Sequence, residues 1–188
     1  MRMFVAVRPL GEAIEDLDDF LSVRRDAGPF RWALADQIHL TLAFLAEVPD
    51  QRLDDLVERL ANAAQRRTRF EAVIAGGGAF PDPARGRVLY AGLDVSAEAG
   101  TELDRLAAGC RAAATTSGLE VDGQRFRPHL TLARCGRPTE LTNWVRLLDA
   151  YRGLTWSVDE IELVGSHLGE GPRRHPRHVV VGALPLGR

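Results

Sequence analysis

Two histidines in this chain stand in identical company. His39-Leu40-Thr41-Leu42-Ala43 recurs as His129-Leu130-Thr131-Leu132-Ala133, ninety positions further along. Among roughly 17,000 window pairs, accidental identity over five letters has a probability on the order of a few per cent. An imidazole with an unperturbed pKa of about 6.5 can hold or release a proton near neutrality. Two imidazoles aimed at one substrate therefore suit a base and an acid in the same displacement. Each copy alternates apolar Leu with His and Thr, the period-2 pattern of a strand that buries one face and presents the other. Two such strands, one from each half of the chain, can offer His39, Thr41, His129 and Thr131 across a shared cleft.

A lone histidine in a strand is more often structural than functional, and it is the repetition with the same threonine offset that favours function. Zinc is the other chemistry that histidine pairs suggest, but neither motif supplies a second His or a carboxylate at ligand spacing. Cys110 and Cys135 form no C-x-x-C pair, so neither a disulfide framework nor a cysteine metal site is expected. All 24 basic residues are Arg. The absence of Lys excludes Schiff-base chemistry, a Walker A lysine and a lysine that carries a nucleotidyl group. Gly76-Gly77-Gly78 completes no phosphate-loop pattern and reads as a bulge or turn. The run Arg173-Arg174-His175-Pro176-Arg177-His178, with His167 before it, reads as a solvated charge cluster that could touch RNA phosphates.

The elements that must carry the motifs follow from periodicity and punctuation. A strand is expected over 2–8, closed by Pro9 and Gly11, then a helix over 11–26 with Ile14, Leu17, Phe20 and Leu21 inward. Short strands over 30–34 and 38–45 follow, the second carrying His39. Pro49-Asp50 opens a helix to about Arg67. Strands over 70–75 and 87–94 precede a long helix over 97–117 that Gly118 ends. A connection over 121–127 leads into the strand of His129, over 129–135, and a helix runs from Pro138-Thr139 to Ala150. Strands over 154–158, 161–167 and 178–184 complete the order β-α-β-β-α-β-β-α-β-α-β-β-β. That order is not a βαβ alternation. It predicts an α+β protein of mostly antiparallel sheets with helices on their outer faces, arranged as two similar lobes within one domain over 1–188.

Bulk properties agree with that class. A chain of 188 residues with 45% hydrophobic content can bury a substantial core. No apolar run approaches the roughly 20 residues of a membrane span, and the opening is too short for a signal-peptide core, so a cytoplasmic protein is expected. The net charge of −2 argues against salt-driven coating of nucleic acid but leaves room for a local phosphate pocket.

HLTLAFL at 39–45 and RPHLTLARC at 127–135 resemble the paired H-x-T-x motifs of the 2H phosphoesterases. The resemblance is to the RNA 2′,3′-cyclic phosphodiesterases, also called 2′-5′ RNA ligases, and extends to MRMFVAV, RWAL and FPDPARGRVLYAGL, up to about Arg137. Ala46, where a glycine often follows the first motif, and the tail over 169–178 depart from the pattern. The resemblance implies two pseudo-symmetric lobes with the site between their sheets. It also implies hydrolysis of an RNA-terminal 2′,3′-cyclic phosphate to a 2′-phosphate with no cofactor and no metal. It assigns His39 as proton donor and His129 as acceptor, although nothing in the residues themselves distinguishes the two. Thr41 and Thr131 can donate to nonbridging phosphate oxygens. Arg134 binds nucleotide in close relatives and can pair with phosphate or stack on a base. Strict alternation would turn Arg134 away from His129, so the strand must end or bulge there, and the same count sends Phe44 to the core. Partners are then RNA ends or small cyclic nucleotides, with a monomer expected. The alternatives are a related enzyme for another cyclic or 2′-5′ linked nucleotide, and a non-catalytic RNA or nucleotide binding module.

Overall fold

A computed structural model describes residues 1–171 and 175–187. The strands are β1 (Met3–Val7), β2 (Arg31–Trp32), β3 (Leu40–Leu45), β4 (Phe70–Phe80), β5 (Gly86–Asp94), β6 (Leu130–Thr139), β7 (Arg152–Val158), β8 (Glu160–His167) and β9 (Arg177–Pro185). The helices are α1 (Glu12–Ser22), α2 (Asp50–Gln65), α3 (Ala97–Thr116) and α4 (Thr142–Asp149). The order is the one the sequence predicts. All strand pairs are antiparallel, in the order β7-β4-β5-β6-β3-β1-β8-β9, with β2 lying on β6.

Two lobes meet in the middle of that order. β7, β4, β5 and β6 form one, with α1 and α4 packed on it; β3, β1, β8 and β9 form the other, backed by α2 and α3. The chain weaves between them, so neither lobe is a continuous half of the sequence. They join through one residue pair, Leu40 opposite Leu130. The two motif strands are therefore neighbours at the centre of the molecule, and their antiparallel run points His39 towards Thr131 and Thr41 towards His129.

Period-2 burial fixes which way each strand faces. In β1, Met3, Val5 and Val7 enter the main core beneath the helices, whereas Phe4 and Ala6 form a small separate apolar cluster with Val164 on the opposite face. Leu40, Leu42, Leu130 and Leu132 all enter the main core, each at most 1% exposed. Helix stripes meet them from below: Leu17 and Leu21 from α1, Leu56 and Leu60 from α2, Leu103, Leu106 and Cys110 from α3.

Several bounds differ from the expectation: α1 ends at Ser22, β2 covers only Arg31–Trp32, and two further differences bear on packing. β4 runs through the glycine triplet to Phe80, with Gly76 at φ 71 and register shifts on both sides of the strand. The triplet is thus a bulge inside a strand. A Cβ on Gly77 would lie 2.5 Å from Cβ of Leu148, so this glycine admits the close approach of α4. β6 continues to Thr139, past the expected stop near Cys135, because Gly86 and Val88 of β5 still pair with it; α4 consequently starts at Thr142. Among the described residues no helix is long and apolar enough to cross a membrane.

Candidate active site

Both histidines sit immediately before a strand and are anchored in the same way. Nδ1 of His39 lies 2.6 Å from the carbonyl oxygen of Gln37, and Nδ1 of His129 lies 2.7 Å from that of Arg127. A carbonyl oxygen only accepts, so each Nδ1 must carry the proton it donates. Nε2 of each ring is left as the atom that can exchange a proton with a substrate.

A cleft of about 450 Å³ is lined by His39, Thr41, His129, Thr131 and Arg134 together. The five residues singled out in the sequence therefore share one space. Arg134 reaches it through a bulge. Val88 and Tyr90, two apart on β5, pair with Arg134 and Thr131, three apart on β6, so Leu132 is the extra residue and Arg134 regains the face of Thr131. The first motif repeats this device. Phe4 and Ala6 pair with Phe44 and Thr41, so Leu42 is the extra residue. Phe44 accordingly lines the cleft rather than the core, contrary to the strict period-2 count. It occupies the position in its motif that Arg134 occupies in the other.

The cleft is electropositive. Among the described residues no carboxylate lines it, while Arg2, Arg31 and Arg134 all do. The Arg2 guanidinium lies 4.7 Å from the centre of the Phe44 ring, and Arg31 stands opposite Arg134 across the β2–β6 pair. No ion pair engages these three among the described residues, unlike Arg8, whose guanidinium is bound by Glu162. Burial, then the nearby Arg31 and Arg2, lower the pKa of Arg134 from its usual range.

Both imidazoles are perturbed in the same direction. Burial is the main cause that brings the pKa of His39 down to about 4; the Gln37 carbonyl opposes it, and His178, Arg8 and His129 add to it. The ring is stacked on Phe4 with centroids 4.4 Å apart. His129 is also lowered, by burial first and by Arg134, with the Arg127 carbonyl opposing. Its ring meets Phe80 and Tyr90 edge to face, at 4.9 and 5.4 Å.

Several lining residues escaped the sequence reading. His175 and His178, expected in a solvated charge cluster that could touch RNA phosphates, are half-buried and border the cleft. His167 is half-buried beside Glu170, and Arg173 and Arg174 lie outside the described residues. Phe44 could have been found from its matching offset to Arg134. Nothing local marks His178, Arg2 or Arg31, because their faces are set by the pairing of β9, β1 and β2. Among the described residues no group of three or more His, Cys, Asp or Glu is arranged to hold a metal ion.

Comparison with known proteins bears on this geometry. Residues 8–170 match the sequence profile of the 2′-5′ RNA ligase superfamily. A protein of Geobacillus stearothermophilus named RNA 2′,3′-cyclic phosphodiesterase is 30% identical over 186 residues, 97% of this chain and 56% of that protein. The chain thus spans a little over half the length of that relative. A protein of the same name from Aeropyrum pernix is 35% identical over 127 residues, 68% of this chain and 69% of its own. The crystal structure of TT0787 of Thermus thermophilus superposes with a TM-score of 0.78 at 29% identity, covering 100% of this chain and 98% of that one.

Proposed function

The chain belongs to the 2′-5′ RNA ligase superfamily, and from that premise we propose that it hydrolyses RNA-terminal 2′,3′-cyclic phosphate to a 2′-phosphomonoester by two-histidine acid and base catalysis, with no metal ion. The observation that carries this reading is the matched anchoring of His39 and His129, each tied back through Nδ1 and opening onto one cleft. Relatives named RNA 2′,3′-cyclic phosphodiesterase support the substrate class.

Hydrolysis of the cyclic diester needs a water deprotonated on one side of phosphorus and the departing ribose oxygen protonated on the other. In this reading Nε2 of His129 takes the water proton and Nε2 of His39 supplies the proton to the leaving oxygen. The hydroxyls of Thr41 and Thr131, one on each side of the Leu40–Leu130 junction, donate to the nonbridging oxygens as their charge grows. Arg134, assisted by Arg2 and Arg31, binds the nucleotide through its phosphate or base. In the free protein the burial of His39 disfavours its charged form. The arriving phosphodiester anion offsets the neighbouring positive charges and raises the pKa of that ring, so binding itself creates the proton donor.

The test is incubation, with chelator present, with an RNA that ends in a 2′,3′-cyclic phosphate, followed by identification of the phosphate position in the product. A 2′-phosphomonoester is expected. Replacement of either His39 or His129 by Ala should lower kcat by about 10² to 10⁴ while leaving the fold intact. Full turnover in both variants, or turnover lost to the chelator, contradicts the mechanism. Binding without product on prolonged incubation points instead to a binding module.

A further inference from the structure

His178 lies outside both motifs, yet its ring meets that of His39 edge-on, with centroids 5.7 Å apart, and that of Phe4 at 5.0 Å. It stands in the wall between two spaces. One is the 450 Å³ cleft; the other is a more enclosed cavity of about 200 Å³, which His39, Gln37, Asp36 and Arg8 also line. That volume is enough for several waters at roughly 30 Å³ each. Gln37 ties the two histidines to one frame. Its carbonyl accepts from Nδ1 of His39, while its Nε2 donates to the Pro176 carbonyl at 2.8 Å. Pairing of His178 with Ser166 holds the other side. The charged groups around His178 are Asp36 before β3, Arg8 after β1, Arg2 before β1, and Arg177, which Glu170 engages.

One turnover leaves His39 a proton short and His129 with one extra. Nδ1 of His39 is tied to a carbonyl, and in the two-histidine reading its Nε2 faces the bound substrate. We propose that His178 is a positioning residue that restores the His39 proton, passing one from water of the smaller cavity through one intervening water to Nε2, while the proton that His129 releases to solvent neutralises the hydroxide left behind. An imidazole accepts at one nitrogen as it donates from the other, so it ends the step unchanged. The proposal rests on the two-histidine reading.

The experiment uses the full chain and the cyclic-phosphate RNA. His178→Phe keeps the aromatic contacts but removes both ring nitrogens; kcat should fall about tenfold or more with KM little changed. His178→Ala should lose kcat similarly and recover it as free imidazole is added, whereas the Phe variant, with the space filled, should not respond. Wild-type kcat in His178→Phe, or a loss in His178→Ala that imidazole leaves untouched, overturns the relay. Intact turnover in His39→Ala and His129→Ala overturns the two-histidine reading and the relay with it. Activity lost in those two but complete in His178→Phe overturns the relay alone.

Discussion

Because both rings are fixed through Nδ1 and both pKa values lie below the usual 6.5, the pH dependence of the pair has a definite sign. In the proposed mechanism the competent free enzyme holds one proton on the pair, a state populated between the two pKa values. We expect kcat/KM to be greatest at acidic pH, above about 4 and below the usual imidazole value, and to fall as the pH rises further, while kcat, which reports the complex, extends to higher pH because the bound anion raises both values. Parallel pH profiles of the two parameters check this; a kcat/KM optimum at pH 8 contradicts it. The same residue affects stability. The folded pKa of His39 is depressed to about 4, so the unfolded chain binds more protons between that value and 6.5. Stability at this site is complete above pH 6.5 and declines as the pH falls through the window, by about 3 kcal/mol in all. Urea denaturation across that window should show a shallower pH slope in His39→Gln than in the wild type.

Among the elements, the bulges at Leu42 and Leu132 matter more to the cleft than does strand length. Each advances the chain by one residue against its neighbour, which turns Phe44 and Arg134 onto the face of Thr41 and Thr131. The glycine bulge in β4 has a different purpose, since it lets α4 close on the sheet where Leu148 meets Gly77. Gly77→Val should cost about 1–3 kcal/mol, because both the Leu148 side chain and the Tyr90 carbonyl would have to move. Chemical denaturation measures the loss. Unchanged stability would mean that α4 docks elsewhere.

Over the whole molecule, a net charge of −2 coexists with a cleft that gathers Arg2, Arg31 and Arg134 and, among the described residues, no carboxylate. Binding of single-stranded RNA should therefore be salt-dependent in proportion to these few contacts, not to overall charge. In a His129→Ala background that prevents turnover, log affinity against log salt should have a slope of about −2, and Arg134→Ala should reduce it by about 0.7. An unchanged slope in the Arg134 variant would remove that side chain from phosphate contact. At this scale too, the weaving of the chain makes the lobes interdependent: α1 packs on a lobe whose strands come later in the chain, and β8 and β9 return to complete the sheet begun by β1.

Local periodicity and punctuation determined the order of elements, the repeated motif with its threonine offset determined His39, Thr41, His129 and Thr131 in the cleft, and the family resemblance added Arg134. Those features depend on neighbours a few positions apart, which a sequence displays directly. The bulge that carries Arg134 inward follows by argument from its motif, whereas strict alternation does not reveal its counterpart at Leu42 and places Phe44 on the core face. Only the tertiary structure decided that the motif strands touch at Leu40 and Leu130, that β9 brings His178 against His39, and that Arg2 covers Phe44. The reason is physical: pairing partners and bulges are chosen by the energy of the assembled sheet and core, where residues distant in the chain compete for the same hydrogen bonds and the same buried space.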